Sequence, residues 1–170
     1  MKRTLTALTV AASLIASGAS AADDADLQKL ATNSCMSCDL TYANLYRSYL
    51  MGANLTRADL RGATLLFADL TGANLSGAEL NGANLRVTVL SRANLTGAYL
   101  SGAELNGADL SRANLTGADL RGANLEGTDL TYADLTYADL RGLDLSSVLM
   151  KGAIFCNTTT PVGLVIHSGC

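Results

Sequence analysis

The hydrophobic pattern has a period of five. Leucine stands at every fifth position from Leu40 to Leu145, twenty-two times without a gap, and Met150 and Phe155 extend the register. Ala lies two before most of these leucines, Asn or Asp one before, Ser, Thr or Arg one after, and often Gly two after, as in Ala73-Asn74-Leu75-Ser76-Gly77. A helix advances about 500° in five residues, so the leucines would scatter around it. A straight strand alternates its faces, so Leu40 would point inward and Leu45 outward. Both conflicts vanish if the chain turns a corner every five residues. Leu and the Ala two before it then point inward on every side, and the remaining positions face water.

The glycines fit such corners. Thirteen of the sixteen, among them Gly52, Gly62, Gly72 and Gly77, lie two after the central residue. The third residue of a type II turn needs φ > 0, where Gly carries no steric penalty. Arg47, Phe67, Val87, Arg92 and Tyr132 stand at that position instead, which predicts a different turn type at those corners.

With these motifs, from about Cys38 to Phe155, the chain resembles the pentapeptide-repeat family of the A-(D/N)-L-x-x kind. The resemblance implies an all-β fold, a right-handed quadrilateral β-helix with four pentapeptides to a coil. Residues 38–155 would make about six coils, a rod about 30 Å long at the usual strand spacing. Each coil rests only on its neighbours, so the ends need caps. Ser48, Thr88, Thr128, Leu143 and Val148 replace the inward Ala. The last two are large and close together, and predict a wider, ending coil.

The flanks supply the remaining segments. Residues 1–21 read as a signal peptide, with Lys2 and Arg3, an apolar stretch from Thr4 to Gly18 and the small-residue site Ala19-Ser20-Ala21. The protein is therefore expected to be exported, to a periplasm or the extracellular space. Residues 22–37 form an N-terminal cap segment, in which Ala22 to Asn33 suits a short helix. Residues 156–170 form a C-terminal disulfide cap, where Thr160-Pro161-Val162-Gly163 and Leu164-Val165-Ile166 predict a small hairpin.

Cys35 and Cys38 precede the solenoid, and Cys156 and Cys170 follow it. An exported chain with this usage reads as disulfide-bonded. A rod keeps the two pairs apart, so local pairing is expected, Cys35–Cys38 and Cys156–Cys170. Some exported family members look similar at both ends, with CxxCDL opening the repeats and FCNT followed by a final Cys closing them. Cys35-Met36-Ser37-Cys38 lacks the βαβ setting of a redox motif and the following His of a haem site.

Residues twenty apart should stack. One column is acidic, Asp39, Asp59, Glu79, Asp119 and Asp139, interrupted by Tyr99, with Arg61, Arg121 and Arg141 two residues on. It reads as a solvated ladder that keeps the rod soluble. Some cytoplasmic family members with a similar fold present a duplex-like acidic rod to DNA gyrase; export and the interleaved arginines speak against that here. A second column, Asn54, Asn74, Asn94, Asn114 and then Asp134, is uncharged for four coils and should form side-chain ladders; ice or glycan binding is a distant alternative. The third breaks the repeat's own rule. Tyr46, Tyr49, Leu66, Phe67, Val87 and Val89 cluster on the first three coils, where the repeat normally writes Ser, Gly and Asn. Outward apolar groups on contiguous rungs mark interfaces. The other reading is intramolecular cover by the segment before Cys35.

Catalytic chemistry has no foothold in the sequence. His167 is the only histidine and lies in the tail, the serines have no His partner in the repeats, and the glycines are turn residues. The chain is expected to be no enzyme, to use no cofactor or metal and to bind no nucleic acid. After leader removal it carries ten basic and fifteen acidic residues, a net charge of −5. The reading is a non-catalytic exported module that displays a rigid surface to a protein partner or to itself, with an inert spacer as the alternative.

Overall fold

The computed structural model describes residues 24–167, 169 and 170. The signal-peptide expectation for residues 1–21 lies outside the described residues. Parallel bridges join the residue before a central Leu to the residue twenty further on, everywhere from Asp39 to Asp139 except at Asn124: Asp39 to Asp59, Asn44 to Thr64, Tyr49 to Asp69, Asn54 to Asn74. Twenty residues therefore make one coil of four pentapeptides, a repeat solenoid whose sides each pair through a single bridge.

One repeat shows why the motif reads as it does. Leu75 N–H donates to Asn94 O at 2.7 Å, Gly77 N–H to Thr96 O at 2.9 Å, and Glu79 N–H back to Ala58 O at 3.0 Å. Ala78 N–H closes the corner onto Leu75 O at 3.0 Å. The fifth donor, Ser76 N–H, is taken by the Asn74 side chain, Oδ1, at 3.1 Å. All five backbone donors are thus satisfied, as close packing requires. Asn or Asp before Leu is the residue that completes the count, through a local turn bond. The same bond recurs at Thr56, Arg61, Thr71, Arg86 and Arg121, each onto the residue two before it. Inside, Leu and Ala from Leu40 to Ala118 are essentially inaccessible.

The corners correct one expectation. Arg47, Phe67, Val87, Arg92 and Tyr132 do not use another turn type: their φ values are 54°, 60°, 51°, 59° and 60°, beside 65° at Gly72 and Gly77. The stacked coils impose one corner geometry on whatever residue is there. Each non-glycine corner holds a left-handed backbone at a cost of about 1 kcal/mol or more.

Polar substitutes for the inward Ala are absorbed by the coil above. The hydroxyls of Thr88, Thr128 and Thr158 donate to the carbonyls of Leu65, Leu105 and Leu135, each twenty-three residues earlier, at 2.7–2.8 Å. Ser48 Oγ has no partner among the described residues. By the same spacing its acceptor would be on residue 25, which belongs to a helix rather than to a coil. Ser48→Ala is therefore expected to stabilise the protein by about 1 kcal/mol, and Thr128→Ala to destabilise it by a similar amount. Chemical denaturation of both variants checks the opposite signs.

The ends are closed by different devices. Helix α1, Asp24–Leu30, packs over the first coil and buries Leu30 completely. Its Asp26 carboxylate accepts Lys29 Nζ at 2.6 Å and Asp39 N–H at 2.7 Å, and these two bonds, the lysine's first, hold its pKa below the usual value. At the other end strands β1, Thr158–Thr159, and β2, Val165–Ile166, form an antiparallel hairpin. Thr159 also bridges to Asp139, so the hairpin extends one side of the solenoid. Both cysteine pairs, Cys35–Cys38 and Cys156–Cys170, are joined as disulfides.

Around Leu143 and Val148 the ladder between coils is interrupted. The bridge series Asn84, Glu104, Asn124 stops before Asp144. Neither Leu125 N–H nor Asp144 N–H has an acceptor among the described residues, and Gly127 N–H turns to Ser147 Oγ at 3.2 Å. Ser147 is the one corner residue between Ser37 and Asn157 that leaves the positive-φ region. Leu143 fills the space of an Ala, and Leu145 is displaced to a half-buried position. The resulting cleft, about 420 Å³, is lined by Asn124, Glu126, Asp144 and Ser146 among others. Hydrogen exchange at Leu125 and Asp144 should be fast while Leu105 and Asn124 stay protected. Leu143→Ala with Val148→Ala should close the ladder and slow both by about tenfold or more.

Candidate interaction surface

The apolar residues singled out from the sequence come together on one corner and its flanking sides. Tyr46 and Phe67 meet edge to face, ring centroids 6.1 Å apart. The Arg47 guanidinium lies 5.1 Å from the Tyr46 ring centre and 5.7 Å from that of Phe67, within cation–π range. Tyr49 bridges to Asp69 and Asp69 to Val89, so the flanking side is continuous with this cluster. Tyr46, Tyr49, Phe67 and Val87 are exposed, while Leu66 and Val89 are half-buried. Exposure of 46% at Phe67 shows that no described residue, α1 included, covers the cluster. Gly at position 67 would relieve the backbone; the chain instead holds Arg47, Phe67 and Val87 in left-handed geometry on three successive rungs.

The acidic column is not a bare row of charge. Arg61 pairs with Asp59 at 2.5 Å and reaches Glu79 on the next coil at 3.3 Å. Arg121 pairs with Asp119 at 2.7 Å and reaches Asp139 at 3.8 Å, while Arg141 pairs with Asp139 at 2.6 Å. The guanidinium hydrogen bonds hold Asp59, Asp119 and Asp139 below their ordinary pKa. Each carboxylate also takes the turn N–H two residues on. Arg61 and Arg121 therefore tie neighbouring coils together, and all three arginines cancel much of the column's field.

The asparagine column is used internally as well. Asn94 Nδ2 donates to Asn74 Oδ1 at 3.2 Å, one rung of the expected ladder. The hydroxyls of Thr56 and Thr96, however, turn back onto Asn54 and Asn94 of their own repeat, at 2.7 and 2.6 Å. His167 Nδ1 lies 2.5 Å from Asn157 Oδ1, and Asn157 Nδ2 lies 3.4 Å from Cys156 Sγ, which places the histidine in the cap. Among the described residues no cluster of His, Cys, Asp and Glu has the geometry of a metal site, and no helix is long and apolar enough to cross a membrane.

The family match is now decisive. Pentapeptide repeats are found in eight copies, over residues 35–65, 68–107 and 108–146, more than half of the chain. The chain belongs to the pentapeptide-repeat family. No curated protein matches it significantly. Among solved structures it is similar to a pentapeptide repeat protein of the Arabidopsis thaliana thylakoid lumen, with 33% identity over 53% of this chain and 59% of that one, at a TM-score of 0.43. It thus spans less than two thirds of that relative. It is also similar to HetL of Nostoc, a protein involved in heterocyst differentiation regulation, with 35% identity over 78% and 72% of the two chains and a TM-score of 0.33. The plasmid-mediated fluoroquinolone resistance protein QnrB1 is 18% identical over 66% and 65%, with a TM-score of 0.45.

Sequence reasoning missed a second corner of this pentapeptide-repeat protein. Arg92, Arg112 and Tyr132 follow one another on successive coils, and the Arg112 guanidinium lies 5.6 Å from the Tyr132 ring centre. The signal was available in the same stacking register, as a run of non-glycine residues two after Leu90, Leu110 and Leu130.

Proposed function

We propose that this protein is an exported, non-catalytic binding module, a right-handed quadrilateral solenoid of about six coils. It presents a rigid surface to a protein partner or to a second copy of itself. The contact is the cluster of Tyr46, Tyr49, Leu66, Phe67, Val87 and Val89. One observation carries the reading: exposed aromatic and aliphatic side chains stand on three consecutive rungs, and two of them, Phe67 and Val87, hold a left-handed corner backbone that favours glycine. Strain retained where a simpler residue would relieve it is a pointer to function, and contiguous apolar exposure is costly unless something covers it. Export is supported by the leader-like start and by the two disulfides at the ends.

Rigidity supports the role. A surface that is already ordered loses little conformational entropy on binding. Leu66→Ser with Phe67→Ser should leave the fold intact, because neither side chain enters the core. The double variant is expected to lose at least tenfold in self-association, read by light scattering, or in crosslinked partner recovered from the native compartment, since such anchors carry about 2 kcal/mol or more each. If both readouts are unchanged, the cluster is not the contact.

A further inference from the structure

Among the described residues, Arg47, Arg57, Arg86, Arg92 and Arg112 lie in no ion pair, and three other arginines do. Arg61, Arg121 and Arg141 each lie against a carboxylate. Arg92 and Arg112, exposed on consecutive rungs of one corner, have no carboxylate partner within ion-pair distance among the described residues. Backbone bonds from Arg92 N–H to Ser111 O at 3.0 Å and from Arg112 N–H to Thr131 O at 2.9 Å fix the two rungs side by side. Asp109, Asp129 and Asp134 each accept a turn N–H of their own repeat, from Ser111, Thr131 and Thr136, and none of the three forms an ion pair with either arginine. Both arginines, and Tyr132 after them, have φ near 60°. Two like charges on adjacent rungs repel, and each sits at a backbone angle that glycine would adopt without strain. Among the described residues no carboxylate within ion-pair distance offsets this, and the Tyr132 ring meets Arg112 alone.

The extent of the ridge says what fits it. Gly72 precedes it on the same corner and Gly152 follows it. From Arg92 to Tyr132 is two coil spacings, about 10 Å, the length of roughly three extended residues. A long polyanion would run on past this ridge onto a molecule whose net charge is −3, and would be repelled there. A short segment meets only the ridge. We propose that Arg92, Arg112 and Tyr132 form the docking site for a short acidic segment of a partner protein. Its carboxylates pair with the two guanidiniums, and its stem packs on the Tyr132 ring beside Arg112. This deepens the partner-binding reading above, which rests on a different corner.

The test is fluorescence anisotropy of fluorescein-labelled hexaglutamate with the whole protein at low salt. Saturable binding is expected, and Arg92→Gln with Arg112→Gln should weaken it by about tenfold. Arg92→Gly with Arg112→Gly, which the corner accepts without strain, should do the same. Arg61→Gln with Arg121→Gln removes the same charge from another side and should weaken it less than about threefold. The Leu66→Ser and Phe67→Ser variant should retain hexaglutamate binding, so failure of the apolar contact and failure of the ridge read out separately. No saturable binding, or equal losses in the two arginine pairs, overturns the proposal. So does tighter, Arg92-dependent binding of dextran sulfate or of phosphatidylglycerol vesicles, which would give the ridge to another polyanion.

Discussion

Leu75→Ala is expected to destabilise the solenoid by about 3–4 kcal/mol, among the larger costs for a buried leucine. Leu75 is wholly inaccessible and packs inside the rod, where coils above and below are held by inter-coil bonds as short as 2.7 Å. A stacked rigid coil cannot collapse inward to fill the gap, because each side is pinned to its neighbours. Leu145→Ala is the contrasting case. Leu145 is only half-buried and lies beside the cleft, where the ladder is already open. Its loss should cost about 1 kcal/mol. Urea denaturation of the two variants checks the ratio; equal losses would mean that the last coil is as tightly packed as the central ones.

The second large effect concerns the C-terminal cap. Replacing Cys156 and Cys170 by alanine opens a loop with a sequence separation of 14, worth up to about 3 kcal/mol in the chain-entropy account. Because a solenoid couples only neighbouring coils, the damage should stay local. The hairpin supplies the Thr159 carbonyl to Leu140 N–H at 2.9 Å and the Pro161 carbonyl to Gly142 N–H at 3.0 Å. In the double variant, hydrogen exchange should therefore accelerate at Leu140 and Gly142 and stay slow at Leu75. Uniform acceleration along the chain would show instead that the rod unfolds as one unit.

These contrasts also separate what was legible in the chain from what was not. The five-residue register yields the twenty-residue stacking directly, and the bridges from Asp39 to Asp59 onward follow it. Asn and Asp before each leucine could be counted from the sequence, but their work as acceptors of the turn N–H could not. A lone motif does not say which donor is left over until the inter-coil bonds are drawn. The same holds for the acidic column. Its charges were countable, while their pairing with Arg61 and Arg121 across coils depends on side-chain directions.

The corners show the boundary most sharply. Residue preference predicts that Phe67 and Val87 avoid a glycine-type turn, and that preference is worth about 1 kcal/mol per site. It is outvoted because these corners are bonded to the coil below through the N–H of the corner residue itself, as Phe67 N–H is to Arg86 O at 3.2 Å and Val87 N–H to Asn106 O at 3.0 Å. The sequence by itself determined the period, the inward set of Leu and Ala and the positions that stack. Those depend on hydrophobic burial, which reads composition at fixed intervals. Only the tertiary structure decided the corner geometry, the opening of the ladder at Asp144 and which arginines find a carboxylate. Those depend on bonds between residues about twenty apart, where a neighbour's backbone, not the local residue, sets the outcome.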